Sequence, residues 1–182
     1  MNFPFPVNRP TLALLTSILL MTACSSSSHG PIRTESYVDI KQFMGDWYVI
    51  ACIPTMFETE AYNAVESYEL KPDGRIATTF TYNKGGFDGP RKTMTPTGFV
   101  EDDPSNAVWG MQFIWPIKAE YRIVYVDDAY SETIVGRTKR DYVWIMARTP
   151  QISEARYQHL VNIVADQGYD ISELRKVPQE ER

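Results

Sequence analysis

Histidine and cysteine are nearly absent, and that scarcity excludes several kinds of chemistry. The 182-residue chain holds two of each, His29, His159, Cys24 and Cys52. Two isolated histidines supply no ligand set for haem, and neither a Cys/His zinc pattern nor an EF-hand loop is present, so no cofactor or metal is expected. No serine sits in a nucleophile elbow. Gly85-Gly86 lies between strand-like runs rather than opening a helix, so it is no phosphate loop. Positive charge is in deficit: the formal net charge is −5, which argues against nucleic acid and against electrostatic adhesion to anionic lipid. No apolar run reaches the ~20 residues that a membrane-spanning helix needs.

What is present begins with an address. Arg9 precedes an apolar-biased stretch from Thr11 to Met21, and Thr22 and Ala23 place small residues just before Cys24. This is the form a lipoprotein signal peptidase accepts, so residues 1–23 read as a signal peptide and Cys24 as the acylated first mature residue. The alternative is an ordinary secreted protein cut near Ala23. Two or more acyl chains, at ~0.8 kcal/mol per buried methylene, would hold the protein to a membrane. Residues 24–36, with the run Ser25 to Ser28, read as a lipidated, flexible tether, and 37–182 as one domain. With Cys24 acylated, Cys52 has no disulfide partner.

From Ile40 to Arg148 apolar residues alternate rather than recur at helical spacing. Turn residues punctuate the alternation, as in Lys71-Pro72-Asp73-Gly74, Lys84-Gly85-Gly86, Asp102-Asp103-Pro104-Ser105, Asp127-Asp128 and Lys139-Arg140-Asp141. Eight strands are expected, over 46–53, 62–71, 75–83, 91–101, 106–114, 119–127, 131–138 and 142–148. Short hairpins between antiparallel strands suit an all-β, up-and-down barrel without free edges. A sandwich fits the spacing but normally needs a long Greek-key connection. One helix follows at about 153–167. Ser153 is its N-cap, Gly168 ends it, and Tyr157, Leu160, Val161 and Val164 form a narrow apolar stripe to lie against the outer wall. A short extended segment is expected within 170–177.

Gly45-Asp46-Trp47-Tyr48 opens the first strand, Asp127-Asp128-Ala129-Tyr130 closes the sixth, and Arg148-Thr149-Pro150 ends the eighth, just before the helix. In this order, over residues 38 to 178, the set resembles the three signature regions of the lipocalin family. It is most similar to the bacterial outer-membrane lipoprotein lipocalins of the Blc type, relatives of apolipoprotein D. Asp127 is taken as the acid of the second region. The resemblance implies an eight-stranded barrel closed at one end. Gly45, Trp47, Asp127, Tyr130 and Arg148 are then structural: Trp47 plugs the closed end and Arg148 covers its ring.

Strand parity sets the expected lumen. Ala64, Glu66, Tyr68 and Leu70 share a face, as do Ile76, Thr78, Phe80 and Tyr82. Trp109, Met111 and Phe113 share another, and so do Tyr121, Ile123 and Tyr125. Apart from Ala64 and Leu70, these are the expected ligand contacts. Alone, such stripes would equally well fill a dry core; the resemblance turns the reading towards a lumen for an acyl chain. Burying about fifteen methylenes gives ~12 kcal/mol before the costs of binding. Glu66 is expensive inside a barrel unless neutral or paired, and would meet an ammonium head group there; a register shift by one residue would turn it to solvent instead.

Three functions are weighed. The first is a binding protein for fatty acids or lysophospholipids, storing or moving lipid for membrane maintenance, as the resemblance implies. The second is a lipid-modifying or isomerising enzyme using Cys52 or lumenal tyrosines, although no histidine stands by to activate the thiol. The third is an anchored protein-interaction module with a filled barrel. The reading adopted is binding, not catalysis. Ser25 stands where Asp would retain a lipoprotein in the inner membrane, so the outer membrane of a Gram-negative cell, periplasmic face, is expected. Some family members pair, which leaves a homodimer open.

Overall fold

The computed structural model describes Met1 and residues 30–180. The expected signal peptide, Cys24 and the serine run lie outside the described residues. From Gly30 onward the segment expected as free tether is held to the domain. The Gly30 carbonyl accepts from Arg140 Nη2 (3.0 Å), Arg33 N–H donates to Gln167 Oε1 (3.1 Å), and Val38 N–H donates to the Ser105 carbonyl (2.7 Å).

A single helical turn, α1 (Ile40–Phe43), follows, capped by the Asp39 carboxylate, which accepts from Lys41 and Gln42 N–H. The strands are β1 (Gly45–Ile53), β2 (Ala61–Leu70), β3 (Arg75–Lys84), β4 (Arg91–Met94), β5 (Thr97–Val100), β6 (Val108–Ile114), β7 (Ile117–Val126), β8 (Glu132–Gly136) and β9 (Val143–Ala147). Each pairs antiparallel with its neighbour, and β9 pairs back onto β1. The expected fourth strand, 91–101, is two pieces on one stave. Both β4 and β5 pair with β3, and the break falls at Thr95-Pro96, where proline has no N–H for the ladder. The result is a closed eight-stranded barrel. Among the described pairings β4 has no second neighbour, and exposed Arg91 and Lys92 lie on that short edge.

Helix α2 (Glu154–Asp166) packs outside, with Ser153 capping its start and Tyr157, Leu160, Val161 and Val164 buried. Arg156 on α2 reaches Glu132 of β8, with Nε 2.9 Å from the carboxylate. The tail then returns as β10 (Arg175–Lys176) along the upper half of β1. There β1 and β2 diverge, and Gln179 Nε2 bridges the carbonyls of Val49 and Ala64, 2.9 Å each. Two cores result. One fills the barrel around Trp47, Tyr68, Trp109 and Ile123; the other lies between the wall and α2.

Candidate functional site

The barrel is solid at one end. Phe43 of α1 inserts from below and meets Trp47, Tyr68 and Trp109 at ring centroids 5.1 to 5.7 Å apart. Trp47 Nε1 donates to the Phe43 carbonyl at 2.8 Å. The Arg148 guanidinium lies 3.7 Å from the Trp47 ring centroid and donates to the carbonyls of Gln42, Phe43, Met44, Asp46 and Tyr130. Gly45 has φ +92, and a Cβ there would meet Arg148 Nη1 at 3.4 Å. Asp127 holds the β7–β8 turn by accepting from Ser131 N–H (2.6 Å), Glu132 N–H (2.8 Å) and Ser131 Oγ. Burial pushes its carboxyl up, but those donors outweigh it and hold the pKa below the usual value. Tyr130 Oη accepts from Asp39 N–H at 2.7 Å. The five signature residues therefore meet at the closed end.

Above this plug the lumen is hollow and open. A cavity of about 260 Å³ runs from Glu66, Met111 and Tyr121 towards the mouth. Phe80, Met94 and Ala119 line its walls, and Met56, Phe57, Glu58, Phe113, Arg137 and Trp144 frame the opening. The β1–β2 loop is pinned across the rim by Glu58, which accepts from Trp144 Nε1 (2.8 Å), Thr55 N–H (2.9 Å) and Thr55 Oγ1 (2.7 Å).

The residues expected to contact ligand divide by depth. Glu66, Phe80, Met111, Phe113 and Tyr121 line the cavity. Tyr68, Ile76, Thr78, Tyr82, Trp109 and Ile123 are buried in the barrel interior without lining that space. Tyr68 and Tyr121 share a hydrogen bond of 2.6 Å between hydroxyls above the plug. Tyr125 corrects the parity argument. A bulge at Val124 shifts the β7–β8 register between Ile123 and Tyr125, so the tyrosine leaves the lumen and packs beside α2, 6.1 Å from the His159 ring. A second bulge in β1, between Val49 and Ala51, puts Cys52 in the interior core, 2 % exposed.

Glu66 turns inward, beside Trp47 on β1 and Phe80 on β3. Burial raises its pKa from 4.5 to about 7, the Tyr68 hydroxyl pulling it back and the Glu58 charge adding to the rise. A carboxyl whose folded pKa exceeds its unfolded one costs stability as pH climbs from 4.5 through 7 and costs nothing below that window. The full cost is on the order of 3 kcal/mol, from 1.36 kcal/mol per pKa unit. Glu66→Gln is therefore expected to raise Tm at pH 8 and leave it unchanged at pH 4; thermal unfolding at both pH values reads the difference, and equal Tm shifts would show that Glu66 is not the titrating group.

Sequence reasoning missed Glu58, Met94, Ala119, Arg137 and Trp144. Ala119 and Trp144 follow from parity on β7 and β9. Glu58 and Arg137 sit on loops, where alternation carries no signal. Among the described residues, no group of three or more His, Cys, Asp or Glu is placed to hold a metal ion, and no helix is long and apolar enough to cross a membrane, which says nothing of a β-barrel.

A closed end sealed by arginine over tryptophan, a hollow open end and one helix on the wall agree with the family comparison. A lipocalin-like domain model matches residues 38–179. The chain is a lipocalin. Its relatives include temperature-induced lipocalin-1 of Arabidopsis thaliana, 33% identical over 78% of this chain and 80% of that protein. Outer membrane lipoprotein Blc of Citrobacter freundii is 30% identical over 93% of this chain and 96% of that one. Apolipoprotein D of Bos taurus is more distant, at 24%. Among solved structures, insecticyanin from the tobacco hornworm Manduca sexta superposes with a TM-score of 0.67 at 13% identity, over 84% of this chain and 86% of that one, which is a likeness of fold. Lipocalins are in general binding and transport proteins, and this lipocalin has the cavity for a small hydrophobic ligand.

Proposed function

We propose that this lipocalin binds single-chain amphiphiles, fatty acids such as palmitate or lysophospholipids, with the tail in the cavity and the head group at the mouth. The observation that carries the reading is the cavity itself: apolar walls, a carboxylate at its floor and ionic groups at its opening. Arg137 supplies the head-group chemistry. Arg137 lines the mouth with its Nη1 3.4 Å from the Asp141 carboxylate, and its Nε has no hydrogen-bond partner among the described residues, so a carboxylate or phosphate that reaches this side chain would meet an unsatisfied donor. Glu58 and Glu66 add sites for an ammonium. The cavity, about 260 Å³, lies just below the ~300–1,000 Å³ usual for small-molecule sites, so a long tail enters as the flexible Met94 and Met111 side chains shift.

Anchoring through acylated Cys24 in an outer membrane, periplasmic side, completes the reading, supported by relatives named outer membrane lipoproteins; storage or transport of lipid for membrane maintenance follows from it. The environment of Cys52 supports binding over the enzymatic alternative that would use its thiol. Burial, with Glu58's charge adding to it, pushes the Cys52 thiol up to about 12, so it stays protonated at neutral pH.

Native mass spectrometry of the mature protein, as purified and after adding palmitate or lysophosphatidylcholine, tests this directly. A one-to-one adduct is expected for both, and Arg137→Gln should weaken each about tenfold, equivalent to ~1.4 kcal/mol. A bare protein that refuses every amphiphile sinks the proposal, and unchanged affinity in Arg137→Gln removes that residue from it.

A further inference from the structure

Two loops at the mouth of the barrel carry apolar side chains that none of the described residues covers. Five consecutive residues at the β6–β7 tip, Phe113-Ile114-Trp115-Pro116-Ile117, are all exposed. Ile114 is 73% exposed, Trp115 82% and Ile117 71%. Met56 and Phe57 on the β1–β2 loop face solvent at the same opening, with Met56 79% exposed. A contiguous apolar rim of this kind marks a docking surface on a soluble domain. Ile114, Ile117 and Phe113 flanking a tryptophan match the side chains that settle at the interface of a bilayer.

Two further observations say what covers it. The first is where the chain leaves the domain. The Gly30 carbonyl is held by Arg140 on the β8–β9 loop, which also carries Arg137 at the mouth, so the described part of the domain begins on the side of the open end. Five residues, 25–29, lie between Cys24 and Gly30, so the two are at most ~21 Å apart along a fully extended chain. The barrel is about 25 Å tall, from ten-residue strands tilted ~40°. A lipid on Cys24 therefore cannot place the closed end on the membrane.

The second is charge. Arg91, Lys92, Lys139 and Arg140 join Arg137 and the Glu60-paired Lys84 at the open end, where they outnumber the acids Glu58, Glu60, Asp88 and Asp141, whereas Glu101, Asp102, Asp103, Asp127 and Asp128 at closed-end turns outnumber Lys41, Lys71, Arg75 and Arg148 there. Anionic lipid favours the open end over the closed one.

We propose that the barrel docks mouth-down on the leaflet that holds its anchor, with Trp115 and its neighbours inserted at the interface, so that an amphiphile passes between leaflet and cavity without crossing water. The orientation rests on the reading of Cys24 as the acylated residue. Met56, Phe57 and Phe113 belong to both the exposed rim and the cavity lining, so docking would lower the barrier to loading.

The test uses the mature full-length protein on vesicles of phosphatidylethanolamine and phosphatidylglycerol whose acyl chains carry bromine, reading tryptophan fluorescence. At least a twofold quenching of the Trp115 contribution is expected, identified by its loss in Trp115→Phe. Ile114→Glu with Ile117→Glu, both exposed, should abolish quenching while the protein still floats with the vesicles. Vesicle-bound protein whose Trp115 is not quenched overturns the proposal. So does a dimer in lipid-free solution that already shields Trp115, which would make a second copy the occupant of the rim. The absence of an acyl mass on Cys24 overturns the anchor instead. Bromine quenching of that unanchored protein still decides whether the rim inserts.

Discussion

Arg148→Ala is expected to destabilise the fold by about 4 kcal/mol, because one side chain closes the whole lower end. Its guanidinium serves five carbonyls from three segments: Gln42, Phe43 and Met44 of α1 and its end, Asp46 of β1, and Tyr130 of the β7–β8 turn. It also covers the ring of buried Trp47 at 3.7 Å. Removing it exposes the indole and strips those carbonyls of a charged donor at once, so the losses are cooperative rather than five separate small ones. At roughly 2–4 °C per kcal/mol for a domain of this size, Tm should fall by about 10 °C. Arg148→Lys should recover less than half, because an ammonium has neither the fork nor the flat face. Equilibrium denaturation of both variants measures this. A loss below ~1 kcal/mol for Arg148→Ala would mean that α1 and the β7–β8 turn seal the barrel without it.

The second large effect belongs to the cavity. Ala119 faces it from β7, across from Met111 on β6. Ala119→Trp places an indole in the void itself, so most of the space a tail would take is filled while the packed plug beneath is untouched. Affinity for palmitate or lysophosphatidylcholine should fall more than about 100-fold, ~2.7 kcal/mol, with Tm changed by only a few degrees. Titration of wild type and variant against the same amphiphile gives the ratio. Equal affinities would place the ligand outside the barrel and leave the docking rim as the more important surface.

The deep interior was the most legible part of the site. Tyr68, Ile76, Trp109 and Ile123 fall on the inward parity of regular stretches of strand, and a period of two has one solution once a core must be buried. Tyr125 shows where that logic stops. One extra residue at Val124 reverses parity for the remainder of β7, and bulges leave no mark in composition. Thr95-Pro96 was the opposite case: the proline was visible in a run assigned to a single strand, and its missing N–H is what divides β4 from β5. Arg137 and Glu58 were illegible for a third reason. Both lie on loops whose path depends on the strands they join, so their convergence on one opening is a property of the closed barrel.

Charge separates the two levels most clearly. The net value of −5 suggested a protein indifferent to anionic lipid, yet a sum has no direction. Antiparallel strands send alternate turns to opposite ends, and the folded barrel thereby leaves a modest excess of basic groups around the mouth and of acidic groups at the base. Strand number and the helix with its caps were determined by the sequence alone, because alternation, capping and turn chemistry act over a few neighbours, whereas the residues of the closed-end seal were read from the resemblance to the lipocalin signature regions. The depth of the cavity, the residues at its mouth and the end at which the described part of the domain begins were decided only by tertiary structure, because each depends on which distant strands the closing of β9 on β1 brings together.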